Sequence, residues 1–163
     1  MSMIRKTPAW MVWESDVAYL LNGAKVKASG ATDLFKGDVK TPTVMVDCKH
    51  TESGKYTVTA EFWKKLSSWA TNEAREPVIA VRIEQPGSER CEVAVMTELF
   101  YNAVAGDGFD TGAEEPKRQK QKAITAKHSK AEPTVFAVGP FRLVAYGFGE
   151  FMDDLRVYEA NAV

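Results

Sequence analysis

The run Val44-Met45-Val46-Asp47-Cys48-Lys49 begins apolar and ends with an acid and a lysine two residues apart. In a strand alternate side chains share a face, so Val44, Val46 and Cys48 point one way and Met45, Asp47 and Lys49 the other. The acid and the lysine then stand side by side, about 7 Å apart at their α-carbons, at the end of a strand whose other face is apolar. A second extended segment over 35–40 precedes it across Thr41-Pro42, which predicts a hairpin with residues 43–50. With Thr41 opposite Val44 the paired residue numbers sum to 85 and Asp38 faces Asp47 across the ladder. One residue of slip would put the two acids on opposite faces.

Around this hairpin the chain alternates helix and strand. Trp10, Trp13, Val17, Leu20 and Leu21 recur at helical spacing and Asn22-Gly23 supplies a stop, predicting an amphipathic helix over 10–21. Residues 25–35, with Gly30 and small polar side chains, read as loop. Residues 57–60 are β-prone, and the stripe Phe62, Leu66, Trp69, Ala70 predicts a second helix over 61–75 that ends before Pro77, with Thr59 as its cap. Strands are expected over 78–83 and 92–96, a short helix over 98–104, a pair of strands over 134–138 and 141–146, and a closing helical turn over 150–155. Residues 106–115 are rich in glycine and acids, and with the basic stretch that follows they form the longest segment without periodicity, expected as a mobile loop over about 105–132. The pattern α, β, β, α, β, β, α predicts an α/β fold with a central sheet.

A chain of 163 residues is one domain's length and buries roughly two thirds of its unfolded surface, so it needs no metal or disulfide to stay folded. A metal, if there is one, is functional. No apolar run approaches the length of a membrane span, and residues 1–8 lack a signal-peptide apolar region, so a soluble, cytoplasmic protein is expected. Cys48 and Cys91 lie in strand-like apolar surroundings and read as reduced core thiols, with a single disulfide as the alternative. There is no CxxC pair, and His50 and His128 are the two histidines, which argues against a zinc site of the His/Cys type. The formal net charge of -1 argues against a uniformly basic nucleic-acid coat. It conceals a local run, Lys117, Arg118, Lys120, Lys122, Lys127 and Lys130, with no acid among them; His128 within it reads as a surface residue.

Two carboxylates converging on one point repel unless a cation lies between them, and oxygen-rich clusters of this kind suit magnesium or manganese. Asp38 and Asp47 can therefore hold a divalent cation that polarises a phosphodiester oxygen and acidifies an attacking water. Lys49 is placed to orient or help deprotonate that water and to offset charge on the phosphate. Glu14 shares a helix edge with Val17, Ala18 and Leu21, which faces inward, and is a further candidate ligand. Carboxylates are also common in first helical turns without any metal.

The order of these parts resembles a known family. An N-terminal helix with a glutamate, Ser29-Gly30-Ala31, Lys36-Gly37-Asp38-Val39, then a hydrophobic strand ending in acid-x-Lys and followed by His50-Thr51-Glu52-Ser53, looks like the PD-(D/E)xK nuclease superfamily, in particular small phage and archaeal Holliday junction resolvase-like members. The likeness spans residues 13–83. It implies a restriction-endonuclease-like central mixed β-sheet flanked by helices, and a magnesium-dependent cleavage site (manganese as substitute) at Glu14, Asp38, Asp47 and Lys49. Two departures stand out: Asp47 replaces the more usual glutamate, shortening its reach by one methylene, and Asp33 competes with Asp38 for the middle role.

The resemblance also places backbone-contacting residues at Ser29 and Gly30, with His50, Thr51 and Ser53 beyond Lys49, and it makes Glu61, with Lys64 or Lys65, a weaker match for a helix residue that completes the site. Lys117, Arg118, Lys120, Lys122, Lys127 and Lys130 become candidates for tracking phosphates. The implied function is an endodeoxyribonuclease acting on branched DNA, working as a homodimer because junction strands are related by symmetry; the host cell cytoplasm is its location if phage-encoded. The same residues suit an enzyme for duplex or single-stranded DNA, or a non-catalytic DNA-binding module with a degenerate site.

Overall fold

The computed structural model of the chain describes residues 6–26, 37–106, 115–130 and 132–162. In chain order its elements are α1 (Ala9–Leu20), β1 (Ala24–Lys25), β2 (Val39–Lys40), β3 (Val44–Thr51), β4 (Lys55–Thr59), α2 (Ala60–Asn72), β5 (Glu76–Ile83), β6 (Cys91–Thr97), α3 (Glu98–Ala105), β7 (Arg118–Gln119), β8 (Gln121–Thr125), a 3₁₀ turn at Ala126–Ser129, β9 (Thr134–Val138), β10 (Phe141–Gly147) and α4 (Phe148–Asn161). Eight strands form a mixed sheet in the order β1-β2-β3-β5-β6-β10-β9-β7, while β4 and β8 pair as a separate ribbon. The pairs β3 with β5 and β7 with β9 are parallel; the other pairs in the large sheet are antiparallel. The molecule is an α/β protein with a large mixed central sheet flanked by helices.

Side-chain parity divides the interior in two. Val44, Val46 and Cys48 of β3, Val78 and Ala80 of β5, Ala94 and Met96 of β6 and Val144 and Tyr146 of β10 pack beneath α1, α3 and α4. Met45, Ile79, Val81, Val93, Val95, Leu143 and Ala145 face the other way, onto Trp63, Leu66 and Ala70 of α2 and onto Val58 and Ile124 of the ribbon. Because both faces are covered, the central strands are nearly unbroken apolar runs. α2 and α3 begin where threonines end the strands before them: Thr59 Oγ1 accepts the Phe62 N–H at 3.1 Å, and Thr97 Oγ1 accepts the Phe100 N–H at 3.0 Å. Each satisfies an amide that helix geometry leaves open.

Several expectations need correction. α4 is a full helix of 14 residues, not a turn, with Phe148, Phe151 and Leu155 buried at spacings of three and four. Trp10 lies outside the apolar stripe of α1 and is half exposed; Trp13, Val17, Ala18 and Leu21 carry the contact. The basic stretch is not a structureless loop where it is described, since it supplies β7, β8 and the 3₁₀ turn. It carries no periodic apolar signal because Ile124 is the one β8 side chain fully buried, and the strand is held by backbone pairing to β4. His128 is buried, not a surface residue. Cys48 and Cys91 are both buried free thiols. Among the described residues no helix is long and apolar enough to cross a membrane.

Trp13 joins α1 to the sheet. It is fully buried, its indole N–H donates to the Ala80 carbonyl at 3.0 Å, and its ring meets Phe148 edge-on at 5.2 Å. The Arg82 guanidinium lies 4.3 Å from the same ring and is itself paired with Asp16 and Glu92 at 2.8 and 2.9 Å. Replacing Trp13 by alanine opens a cavity and strands the Ala80 carbonyl, so Trp13→Ala is expected to lower unfolding stability by about 3–5 kcal/mol in urea titration. A loss below about 1 kcal/mol would show that α1 is not anchored here.

Candidate metal centre

The site is built where a short strand gives out. β2 pairs with β3 through Lys40 opposite Met45 and Val39 opposite Val46, which is the expected register. β2 begins at Val39, so among the described residues the edge of β3 beyond Val46 has no strand partner on that side, while β5 continues beside it on the other side to Thr51. Gly37 makes the approach possible: its φ is +77°, and a Cβ there would fall 2.6 Å from Met45 Cγ. The next residue, Asp38, donates its N–H to the Val46 carbonyl at 2.9 Å and turns its carboxylate onto the free edge, where Oδ2 accepts the Cys48 N–H at 2.7 Å. Asp38 thus takes the hydrogen bond that a continuing strand would have taken.

Asp38 is the common neighbour of the other two acids. Glu14, half-buried on α1, has its carboxyl pushed up, first by burial and then by the Asp38 charge, with Lys25 pulling the other way. Asp47, buried in β3, is pushed up to about 7, again by burial first and the Asp38 charge second, against the opposing pull of Lys49. Burial favours the protonated form of Asp47, and the neighbouring Asp38 charge adds to it, since two carboxylates this close do not both ionise freely without a cation. Lys49 Nζ lies 3.0 Å from the buried Asp47 Oδ2, an ion pair that offsets only part of what burial and Asp38 do to this carboxyl.

Burial works against the Lys49 ammonium, and the Asp47 carboxylate more than reverses it, so its pKa is raised and the group stays charged at neutral pH. A charged lysine can orient water and offset phosphate charge but cannot take up a proton, which narrows the role expected for it. Two residues that sequence reasoning missed complete its surroundings. Lys49 Nζ sits 4.6 Å from the centre of the Phe62 ring on α2, and the Tyr56 hydroxyl on β4, its pKa raised by burial, feels the charges of both Lys49 and Asp47. Phe62 stands one residue from Glu61, which is exposed and 3.9 Å from Lys65.

The other expected residues divide. Ser29, Gly30 and Asp33 lie outside the described residues. Thr51 and Ser53 are absorbed in the turn after β3: their hydroxyls are 2.9 Å apart and Ser53 Oγ donates to the Lys55 carbonyl. His50 points to the opposite face of β3 from Asp47 and pairs with Glu84 at 2.7 Å. Lys117, Arg118, Lys120 and Lys127 are exposed, Lys122 is half-buried on β8, and Lys130 pairs with Glu89 at 3.1 Å. β8 brings the basic stretch beside the site, since Ile124 pairs with Tyr56 and the Lys120 carbonyl accepts the Ala60 N–H.

Asp38 raises the pKa of both Asp47 and Glu14, but the three carboxylates do not form a group whose oxygens all lie within 4.8 Å of one another, so the pair that fits a hard divalent cation is Asp38 with Asp47, and Glu14 neighbours it through Asp38. The three are linked pairwise through Asp38. No protein-family model matches the chain, and no curated protein sequence matches it. Among solved structures it is similar to a Holliday junction resolvase, Hjc, of Archaeoglobus fulgidus, at 15% sequence identity and a TM-score of 0.37 over 50% of this chain and 74% of that one. A TM-score that low carries no chemistry across.

Because the folded Asp47 carboxyl titrates above its unfolded value, its contribution to stability is complete at acid pH and is lost as pH rises towards and through about 7. Without divalent cations, Asp47→Asn is expected to raise Tm relative to wild type at pH 8 and to leave it nearly unchanged at pH 4. His128, whose pKa is lowered by burial, acts in the opposite direction but equally in both proteins, so it cancels in the difference. An Asp47→Asn effect on Tm that does not change with pH would refute the strained pair.

Proposed function

We propose that this protein is a metal-dependent endonuclease that hydrolyses phosphodiester bonds in branched DNA, and that it works as a homodimer. The observation that carries the reading is the Asp38–Asp47 pair at the free edge of β3, with a charged lysine 3.0 Å from the buried Asp47 oxygen. A solvated sheet face offers no reason to bury one carboxylate against another. The order of parts that resembles the PD-(D/E)xK superfamily, from Glu14 through Asp38 to Asp47 and Lys49, supports the same chemistry.

Asp38 and Asp47 would hold magnesium, or manganese in its place, with Glu14 assisting. When bound, such an ion polarises a phosphoryl oxygen and lowers the pKa of water. The chain's own residues do the rest. Asp38 is fixed by the Cys48 N–H, so its free oxygen has one direction to offer. Lys49 keeps its proton, presents its ammonium to the phosphate and orients water by donation, while Phe62 and Tyr56 limit where Nζ can swing. Lys120, Lys122 and Arg118 on the ribbon and its approach supply positive charge for the backbone beyond the cleaved bond. One site per chain serves one strand, so a junction with two symmetric strands calls for two chains.

The test is cleavage of a four-way junction in magnesium, beside duplex and single-stranded DNA of the same sequence. Wild type is expected to cut the junction preferentially, and Asp38→Asn, Asp47→Asn and Lys49→Ala each to lose about 100-fold or more in rate while still binding. Undiminished cutting by Asp47→Asn, or no cutting by wild type in either magnesium or manganese, would overturn the catalytic assignment; equal cutting of duplex would overturn the branched substrate alone.

A further inference from the structure

Beyond the Asp38–Asp47 edge, the same strand delivers a second cluster to its other face. His50 on β3, Glu52 in the turn that follows it and Glu84 just past β5 each offer one ligand atom, and these atoms all lie within 4.8 Å of one another. We propose that His50, Glu52 and Glu84 form a separate site for a divalent ion of the zinc class, independent of whether the first site cleaves DNA.

Ligand chemistry separates this site from the first. An imidazole nitrogen with two carboxylate oxygens suits zinc, or manganese less tightly, and is a poor match for magnesium, which favours oxygen alone. Ligand bonds of about 2.0–2.2 Å put tetrahedral ligand atoms about 3.4 Å apart, so closure from the present arrangement needs only side-chain adjustment. His50 Nε2 and Glu84 Oε2, now 2.7 Å apart in a hydrogen bond, would open slightly, and Glu52 would move in.

The scaffold beneath these residues is rigid. β3 and β5 run parallel and paired through Thr51 and Ile83, and the Glu84 N–H continues the ladder to the Thr51 carbonyl at 2.8 Å. The His50 side chain is only 9% exposed. The Glu52 turn is held by the Ser53 N–H on Thr51 Oγ1 at 3.1 Å and by Gly54 at φ +85°. A cavity of about 490 Å³, bounded by the start of α1 and by Arg90, opens onto the cluster and leaves room for a fourth ligand, water or a small anion. Arg90, 3.9 Å from Glu84 and mostly exposed, competes weakly for that carboxylate.

The test is calorimetric titration of the full-length protein with zinc chloride after chelator treatment, in an Asp47→Asn background so that the first cluster lacks a ligand. One equivalent of zinc is expected to bind, with a rise in Tm and no displacement by millimolar magnesium. His50→Ala and Glu84→Gln are each expected to weaken binding about tenfold or more. Glu52 is exposed, so Glu52→Gln weakens zinc binding without threatening the fold. Absence of saturable zinc binding, or binding that survives Glu52→Gln and Glu84→Gln unchanged, would overturn the proposal.

Discussion

The parallel pairing of Val44–Thr51 with Glu76–Ile83 is the join on which the other elements depend. A parallel pair requires a crossover, and α2 supplies it, covering one face with Trp63, Leu66 and Ala70. The opposite face is then left for α1, which closes it with Trp13, Val17 and Leu21. With both faces sealed, polar side chains on these strands can be tolerated only where the pairing ends. Asp47 and Lys49 stand where β2 leaves one edge of β3 open, and His50 and Glu84 stand at the ends of the two parallel strands. These polar groups lie where strand pairing gives out, and strand ends are where ligands reach open α/β sheets.

At that edge the energetic question is why a carboxylate should be buried beside another. Burial alone raises the pKa of Asp47, Asp38 raises it further, and Lys49 only partly compensates. Incompletely compensated arrangements of this sort cost stability. The alternative, a sheet face that happens to carry acids, would leave Asp47 exposed and Asp38 turned to solvent. The Cys48 N–H on Asp38 shows the opposite: the backbone commits Asp38 to this position.

Much of this is legible in the sequence. Alternation along Val44–Lys49 assigned faces correctly, the register around Thr41-Pro42 brought Asp38 to Asp47, and Thr59 caps α2 as its spacing implied. Glu14 was placed by its stripe, and it lies half-buried beside Asp38. What escaped has physical reasons. β1 and β7 are two residues each, too short to show a period, and β8 buries a single large side chain, so backbone pairing to β4 left no hydrophobic pattern to read. Tyr56 and Phe62 belong to elements whose own patterns look structural, and only their three-dimensional position against Lys49 gives them a part. α4 differs from these, since Phe148, Phe151, Leu155 and Tyr158 keep helical spacing well past the expected turn and the signal for the full helix is in the sequence.

The near-neutral charge takes on a different meaning once the pairings are known. Arg82, Arg142, Lys40 and Arg75 are all occupied with acids on neighbouring elements, and Lys130 pairs with Glu89. Lys117, Arg118, Lys120 and Lys127 carry exposed charge on either side of β8, with no acid in ion-pair contact among the described residues. The β4–β8 ribbon is the element whose Tyr56 faces Lys49, so the positive charge not used for holding the fold together is joined by backbone hydrogen bonds to the strand flanking the acidic edge. A polyanion attracted to the ribbon would be led towards the carboxylates rather than away from them, provided a cation masks them.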